Sequence, residues 1–116
     1  MNDTTIEIPI IRKLYELYKL YYGYLELFPK KDRHNLGARC EGYILDTLEL
    51  LLAAGSVPKQ EKKQYIVRAN VKFDALKVFL RMAKELRLLD NKKYLELQKH
   101  IQETGKMLGG WQRSLE

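Results

Sequence analysis

Residues 77–89 read KVFLRMAKELRLL: eight of the thirteen are apolar, four are Lys or Arg, and only Glu85 is acidic. The stretch closes a longer segment, about 58–89, whose apolar residues recur every three or four positions, as one turn of α-helix requires. On a wheel of about 100° per residue, Tyr65, Ala69, Phe73, Leu76, Leu80 and Ala83 form one apolar stripe. A second stripe, on a different face, holds Val71, Ala75, Val78, Met82 and Leu89, with Phe79 and Leu86 towards its edge. One stripe suffices to face the rest of a small helical bundle. A second is more apolar surface than a lone soluble chain normally exposes. Val71, Val78, Phe79, Met82, Leu86 and Leu89 are therefore the expected contacts of an oligomer. The alternative is a helix central to its own bundle and covered on both sides.

Three more periodic segments surround this one. The first opens near Pro9, a residue favoured in a first helical turn, and stops at Pro29, giving a helix over about 9–28. The second spans about 32–55, with Asp32 as the expected N-cap and Gly55 at its end. Asp90 caps the fourth, about 91–111. Connections of a few residues force neighbouring helices to run antiparallel. The expected fold is all-α: a single domain over 1–116 forming an up-down-up-down antiparallel four-helix bundle. Sustained period-two alternation, the mark of strands, is missing.

Composition bounds the class. With 46% hydrophobic and 31% charged residues in 116, the chain is neither disordered nor fibrous. No uninterrupted apolar run is long enough to span a bilayer, so no membrane is expected as a partner. The start, MNDTTIEIPII, lacks a basic stretch leading into a long apolar one, and no secretory leader is expected. A single cysteine, Cys40, suits a reducing compartment, and a cytoplasmic location is the expectation.

The net charge of +6 is unevenly placed. Residues 58–89 hold nine cations against Glu61, Asp74 and Glu85, while the rest of the chain is close to neutral. Such concentration points to a polyanionic or acidic partner. Lys63, Lys77, Arg81 and Lys84 share a polar strip between the two apolar stripes, with Arg87 just off it, and Arg68 and Lys72 occupy the opposite gap. Lys30, Lys31 and Arg33 make a second cluster. These ten are the candidate contacts for phosphates or for a protein partner, the competing role being that of solvated charges. Tyr15, Tyr18, Tyr21, Tyr22 and Tyr24 have the chemistry to stack on unpaired bases, but their helical spacing favours packing.

No catalytic constellation emerges, and the chain reads as a non-enzyme without cofactor. A di-iron bundle needs Glu-x-x-His on two helices; here Glu96 precedes His100 by four and no second such element exists. Cys40 lacks a His partner of the nucleophile type. Gly105-Lys106 is followed by Met107, not by Ser or Thr as in a phosphate loop. The glycines near Trp111 are expected to allow close helix approach or to end the last helix.

Three blocks carry a family resemblance: FPKKDRHNLGARCEGYILDTLELLLAA, KFDALKVFLRMAKELRLLDNKKYLEL and ETGKMLGGWQRSLE. Phe28-Pro29-Lys30 with Arg33 and Leu36-Gly37, Leu80-Arg81 to Glu85-Leu86, and Met107 to Trp111 are its strongest pieces. The chain resembles, from about Leu14 to Trp111, the four-helix-bundle family of the accessory variability determinant of diversity-generating retroelements. That family is distantly related to proteins encoded in intervening sequences of bacterial large-subunit ribosomal RNA genes. The resemblance implies a homopentameric barrel, a reverse transcriptase as partner, and association with RNA or DNA during mutagenic copying. Five copies would together carry about +30. His34, Asn35, Cys40 and Thr104 depart from the family pattern. The rival expectation is a self-assembling structural protein of the ribosomal-RNA type that binds neither nucleic acid nor transcriptase.

Overall fold

Four long helices express the helical periodicity, and a fifth, single-turn helix sits at a corner. The computed structural model describes residues 4–116, with side chains from Pro9 onward. The leaderless reading of the start rests partly on Met1–Asp3, outside the described residues. The elements are α1 (Thr4–Leu25), α2 (Lys30–Arg33), α3 (Leu36–Gly55), α4 (Lys59–Glu85) and α5 (Asn91–Ser114). The long helices form a closed ring of neighbours, α1 against α3, α3 against α4, α4 against α5, and α5 back against α1. The bundle measures 44 × 22 × 19 Å. Among the described residues there is no strand, and no helix is long and apolar enough to cross a membrane.

Proline decides two boundaries differently from expectation. Pro9 lies inside α1 rather than opening it. Pro29 stands at the N-cap of α2, with φ −54° and ψ 149°, and its carbonyl accepts from Arg33 N at 2.9 Å. A turn of helix therefore forms at once, and Asp32 falls inside it instead of capping the next helix. The chain bends at His34-Asn35 before α3 begins. Gly37 lets this corner close: a Cβ there would lie 3.0 Å from the Asp32 carbonyl oxygen and 3.1 Å from the Phe28 ring. Tyr21 locks it, donating its hydroxyl to the Gly37 carbonyl at 2.9 Å.

The α3–α4 turn is closed by a buried cation. Lys62 Nζ donates to the Ala54 carbonyl at 2.8 Å, satisfying one of the acceptors a helix C-terminus leaves open. At the far end, α4 stops four residues earlier than the apolar pattern suggests. Arg87 takes a left-handed φ of 65°. Leu88 N then donates to Ala83 O and Arg87 N to Lys84 O, both at 2.9 Å, the paired bonds of a Schellman cap. Asp90 caps α5 as expected, accepting from Lys93 N at 2.8 Å. Gly109 and Gly110 do not end α5, which continues to Ser114.

The core is built from one face of each long helix. Ile10, Leu14, Leu17 and Tyr21 come from α1, Cys40, Ile44 and Leu51 from α3, and Leu97, Ile101, Leu108 and Trp111 from α5. From α4 come Ile66, Ala69, Phe73, Leu76, Leu80 and Ala83, the first expected stripe with Ile66 buried and Tyr65 half-buried at its margin. Leu89 requires a correction. At 1% exposure it is a core residue of its own bundle, brought inward by the turn at Arg87, and offers nothing to an oligomer contact.

Candidate nucleic-acid interface

The polar strip of α4 faces the seam with α5. Lys63, Lys77, Arg81 and Lys84 are all exposed along it. Lys77 pairs with Asp74 at 3.3 Å and lies 5.3 Å from the Phe73 ring centroid. Lys84 sits 5.1 Å over the ring of Tyr94, on α5. Asn70 reaches across the seam to Gln112 at 2.6 Å. Arg81 has no ion pair among the described residues, and Asp74, on the same strip, is engaged by Lys77.

Between Lys77 and α5 runs a groove of about 440 Å³, bordered by Gln98, Gln102, Gly105 and Lys106 and reaching Ile101. At Gly105 a Cβ would stand in ordinary van der Waals contact with the Phe73 ring, 3.7 Å away. Cations on both rims suit phosphates, and the amides of Gln98 and Gln102 offer donors and acceptors between them. Further along α5 the side chain of Arg113 lies across Gly109 and Gly110, where a Cβ on Gly109 would come within 3.3 Å of Nη1. Lys106 and Arg113 were not singled out by sequence. Each is an isolated cation on α5, and only the antiparallel pairing of α4 with α5 brings Lys106 opposite Lys77.

Up-down topology also brings the second cluster round. α2 and the α4–α5 turn lie at the same end of the bundle, where Lys93 of α5 approaches the Tyr24 ring of α1 at 5.9 Å. Lys30, Lys31 and Arg87 are exposed at this end, with Lys92 beside them. Arg33 is half-buried, and its Nε is enclosed without a hydrogen-bond partner, so it is less freely presented than its neighbours.

The remaining two candidates face elsewhere. Lys72 turns to α3, where it pairs with Asp46 at 3.4 Å beside the Tyr43–Phe79 edge-to-face contact. Arg68 stacks 5.8 Å from the Tyr65 ring, on the α3 side of α4. Sequence placed these two correctly apart from the main strip, and the structure does not bring them to the groove.

The second stripe of α4 is exposed. Val71 is 64% and Val78 56% accessible, and Met82 and Leu86 are open as well, with Val67 extending the row. Phe79 is half-buried against Tyr43 at the stripe's edge. α4 is therefore not a helix buried on both sides within its own bundle. Among the described residues no group of three or more His, Cys, Asp or Glu is arranged to hold a metal ion.

The structure is a small all-α bundle with one cationic seam and an uncovered apolar ridge. Residues 9–115 match the family described as bAvd-like, bacterial accessory variability determinant-like, and the chain belongs to that family. No curated protein matches it.

Proposed function

We propose that this chain is a non-catalytic, basic accessory protein of a diversity-generating retroelement, acting in the cytoplasm. Its copies assemble through the exposed ridge of α4, as a homopentamer by the family resemblance. The assembly binds RNA or DNA along the α4–α5 seam and docks to the retroelement reverse transcriptase in support of mutagenic copying. The observation that carries this reading is the groove between Lys77 and Lys106, with exposed Arg81 one helical turn beyond Lys77 on α4. A strip of cations with low walls meets phosphates irrespective of base sequence, and such contacts release counterions and impose a steep salt dependence.

Fluorescence anisotropy with a single-stranded RNA oligomer tests it. Affinity should fall steeply between low and moderate salt, and Arg81→Ala should flatten the log–log slope by about 0.7, the share of one phosphate contact on a single strand. Equal affinity of Arg81→Ala and the parent chain at every salt concentration would remove Arg81 from the site. The extent of the exposed apolar surface also favours a second reading, a self-assembling interaction protein without a nucleic-acid partner. Intact assembly with no RNA binding even at low salt selects it.

A further inference from the structure

A cavity of about 760 Å³ opens on the α3 side of α4, away from the basic seam. Its α3 wall runs from Asn35 through Arg39 and Gly42 to Asp46, about 16 Å at 1.5 Å per residue. Lys72 and Phe79 of α4 form the opposite wall. His34 and Asn35, which depart from the family pattern, both line it. Of its lining, only Phe79 belongs to the residues expected in an oligomer contact.

The charges in the cavity are unequal. Asp46 is neutralised by Lys72 at 3.4 Å. Arg39 is exposed and has neither an ion pair nor a side-chain hydrogen bond among the described residues, and the same holds for His34. Asn35 donates its amide to the Lys31 carbonyl at 3.0 Å and keeps its side-chain oxygen as an acceptor. Along α3, Tyr43 falls between Arg39 and Asp46, and its ring meets Phe79 edge to face at 5.2 Å. Gly42 stands in the same wall. A Cβ there would meet nothing within 4 Å, so no neighbour in the chain demands glycine. Glycine in a helix interior is a cost relative to alanine, and here it leaves the cavity open.

A free guanidinium suits the oxygens of a phosphate. Aromatic rings in the wall suit a planar ring, and the Asp46–Lys72 pair offers an acceptor and a donor to a polar ring edge. A bare anion would leave the aromatic wall unused, and an uncharged ring would leave Arg39 unpaired. We infer that the α3–α4 cavity is a mononucleotide site, with Arg39 and His34 taking the phosphate and Tyr43 and Phe79 the base. It differs from the proposed polyanion binding in place and in kind, because it selects the ring as well as the charge.

Isothermal titration calorimetry of the 116-residue chain tests the site. Adenosine monophosphate is the probe, with adenosine and inorganic phosphate as its two halves. The monophosphate should bind more tightly than either half by about tenfold or more, and Arg39→Ala should weaken it by a similar factor. Gly42→Leu puts a side chain into the open space and should abolish binding. It also replaces glycine with a strong helix former, so the melting temperature should hold or rise. Arg81→Ala, on the seam, should leave mononucleotide binding unchanged. No binding of the monophosphate, equal affinity for inorganic phosphate, or an undiminished affinity in Arg39→Ala overturns the site. So does displacement of the mononucleotide by an RNA oligomer lacking a terminal phosphate, which would make the cavity one more stretch of polyanion surface. None of these results bears on the salt dependence of RNA binding at the seam, which anisotropy reads separately.

Discussion

Arg87 occupies a backbone conformation that suits glycine. At φ 65° the Cβ of an L-residue crowds the following carbonyl, at a cost of roughly 1–2 kcal/mol. Arg87 is exposed, so burial of its side chain does not offset that cost. Strain held in this way is a pointer to function, and the residue stands at the cationic end of the bundle. Arg87→Gly should therefore raise stability by about 1 kcal/mol and the melting temperature by about 4 °C. It should also weaken RNA binding at low salt and lower the salt slope. A more stable variant with an unchanged slope would make Arg87 a capping residue and nothing more. Cys40 shows the opposite bias, towards a neutral side chain. Burial pushes its thiol up to about 11 from the usual 9.0, with the Tyr21 hydrogen bond working against the shift. Above pH 9 the unfolded chain loses this proton first, so stability falls as pH rises and levels off beyond about 11. The loss is about 3 kcal/mol in all, at 1.36 kcal/mol per pH unit. Cys40→Ala should remove that component between pH 9 and 11 in chemical denaturation. Parallel losses in both proteins would place the alkaline sensitivity elsewhere, for instance in buried Tyr21, whose hydroxyl burial also pushes up.

Elements differ in how far their sequences disclose them. α4 was legible in detail because its two apolar stripes lie on nearly opposite faces with charges filling both gaps. Phe73, Leu76 and Leu80 are buried while Val71, Val78 and Met82 are exposed. Leu89 misled, since a periodic pattern continues through a turn without recording that the backbone has changed hand at Arg87. The α2 corner was hidden for a similar reason: Asp32 is a good N-cap residue, but Pro29 starts a helical turn before it. α1 was harder to divide. Tyr15, Tyr18, Tyr21 and Tyr22 all fit a helical stripe, yet only Tyr21 is fully buried and Tyr15 and Tyr22 are exposed. Its apolar arc is wider than the core can cover. Lys62 reads as one more cation of a basic helix. Its position opposite the end of α3 turns it inward to Ala54. For the candidate site, the α4 half was readable as clustered charge. The α5 half was not, because Gln98, Gln102 and Lys106 gain meaning only from the helix beside them.

At the scale of the molecule, the charge on which the proposed polyanion binding rests also works against stability. Most of the excess lies on α4, where exposed Lys63, Lys77, Arg81 and Lys84 share one side and repel one another. A phosphate chain in the α4–α5 seam would relieve that repulsion, and a ligand that binds only the folded state stabilises it by mass action. Salt should therefore act in opposite directions on the free and bound protein. For the free chain, raising salt screens the α4 cations and should leave the melting temperature unchanged or slightly higher. With RNA present at about 100 times its low-salt dissociation constant, linkage predicts about 2.7 kcal/mol of added stability. In a chain of 116 residues this corresponds to a melting temperature higher by about 10 °C. Raising salt to several hundred millimolar should abolish the increment, because the counterion release that drives binding is lost. Calorimetric melts at two salt concentrations, with and without the oligomer, give all four values. If saturating RNA leaves the low-salt melt unmoved, the basic seam is a solvated surface and the nucleic-acid reading fails, whatever the chain's state of assembly.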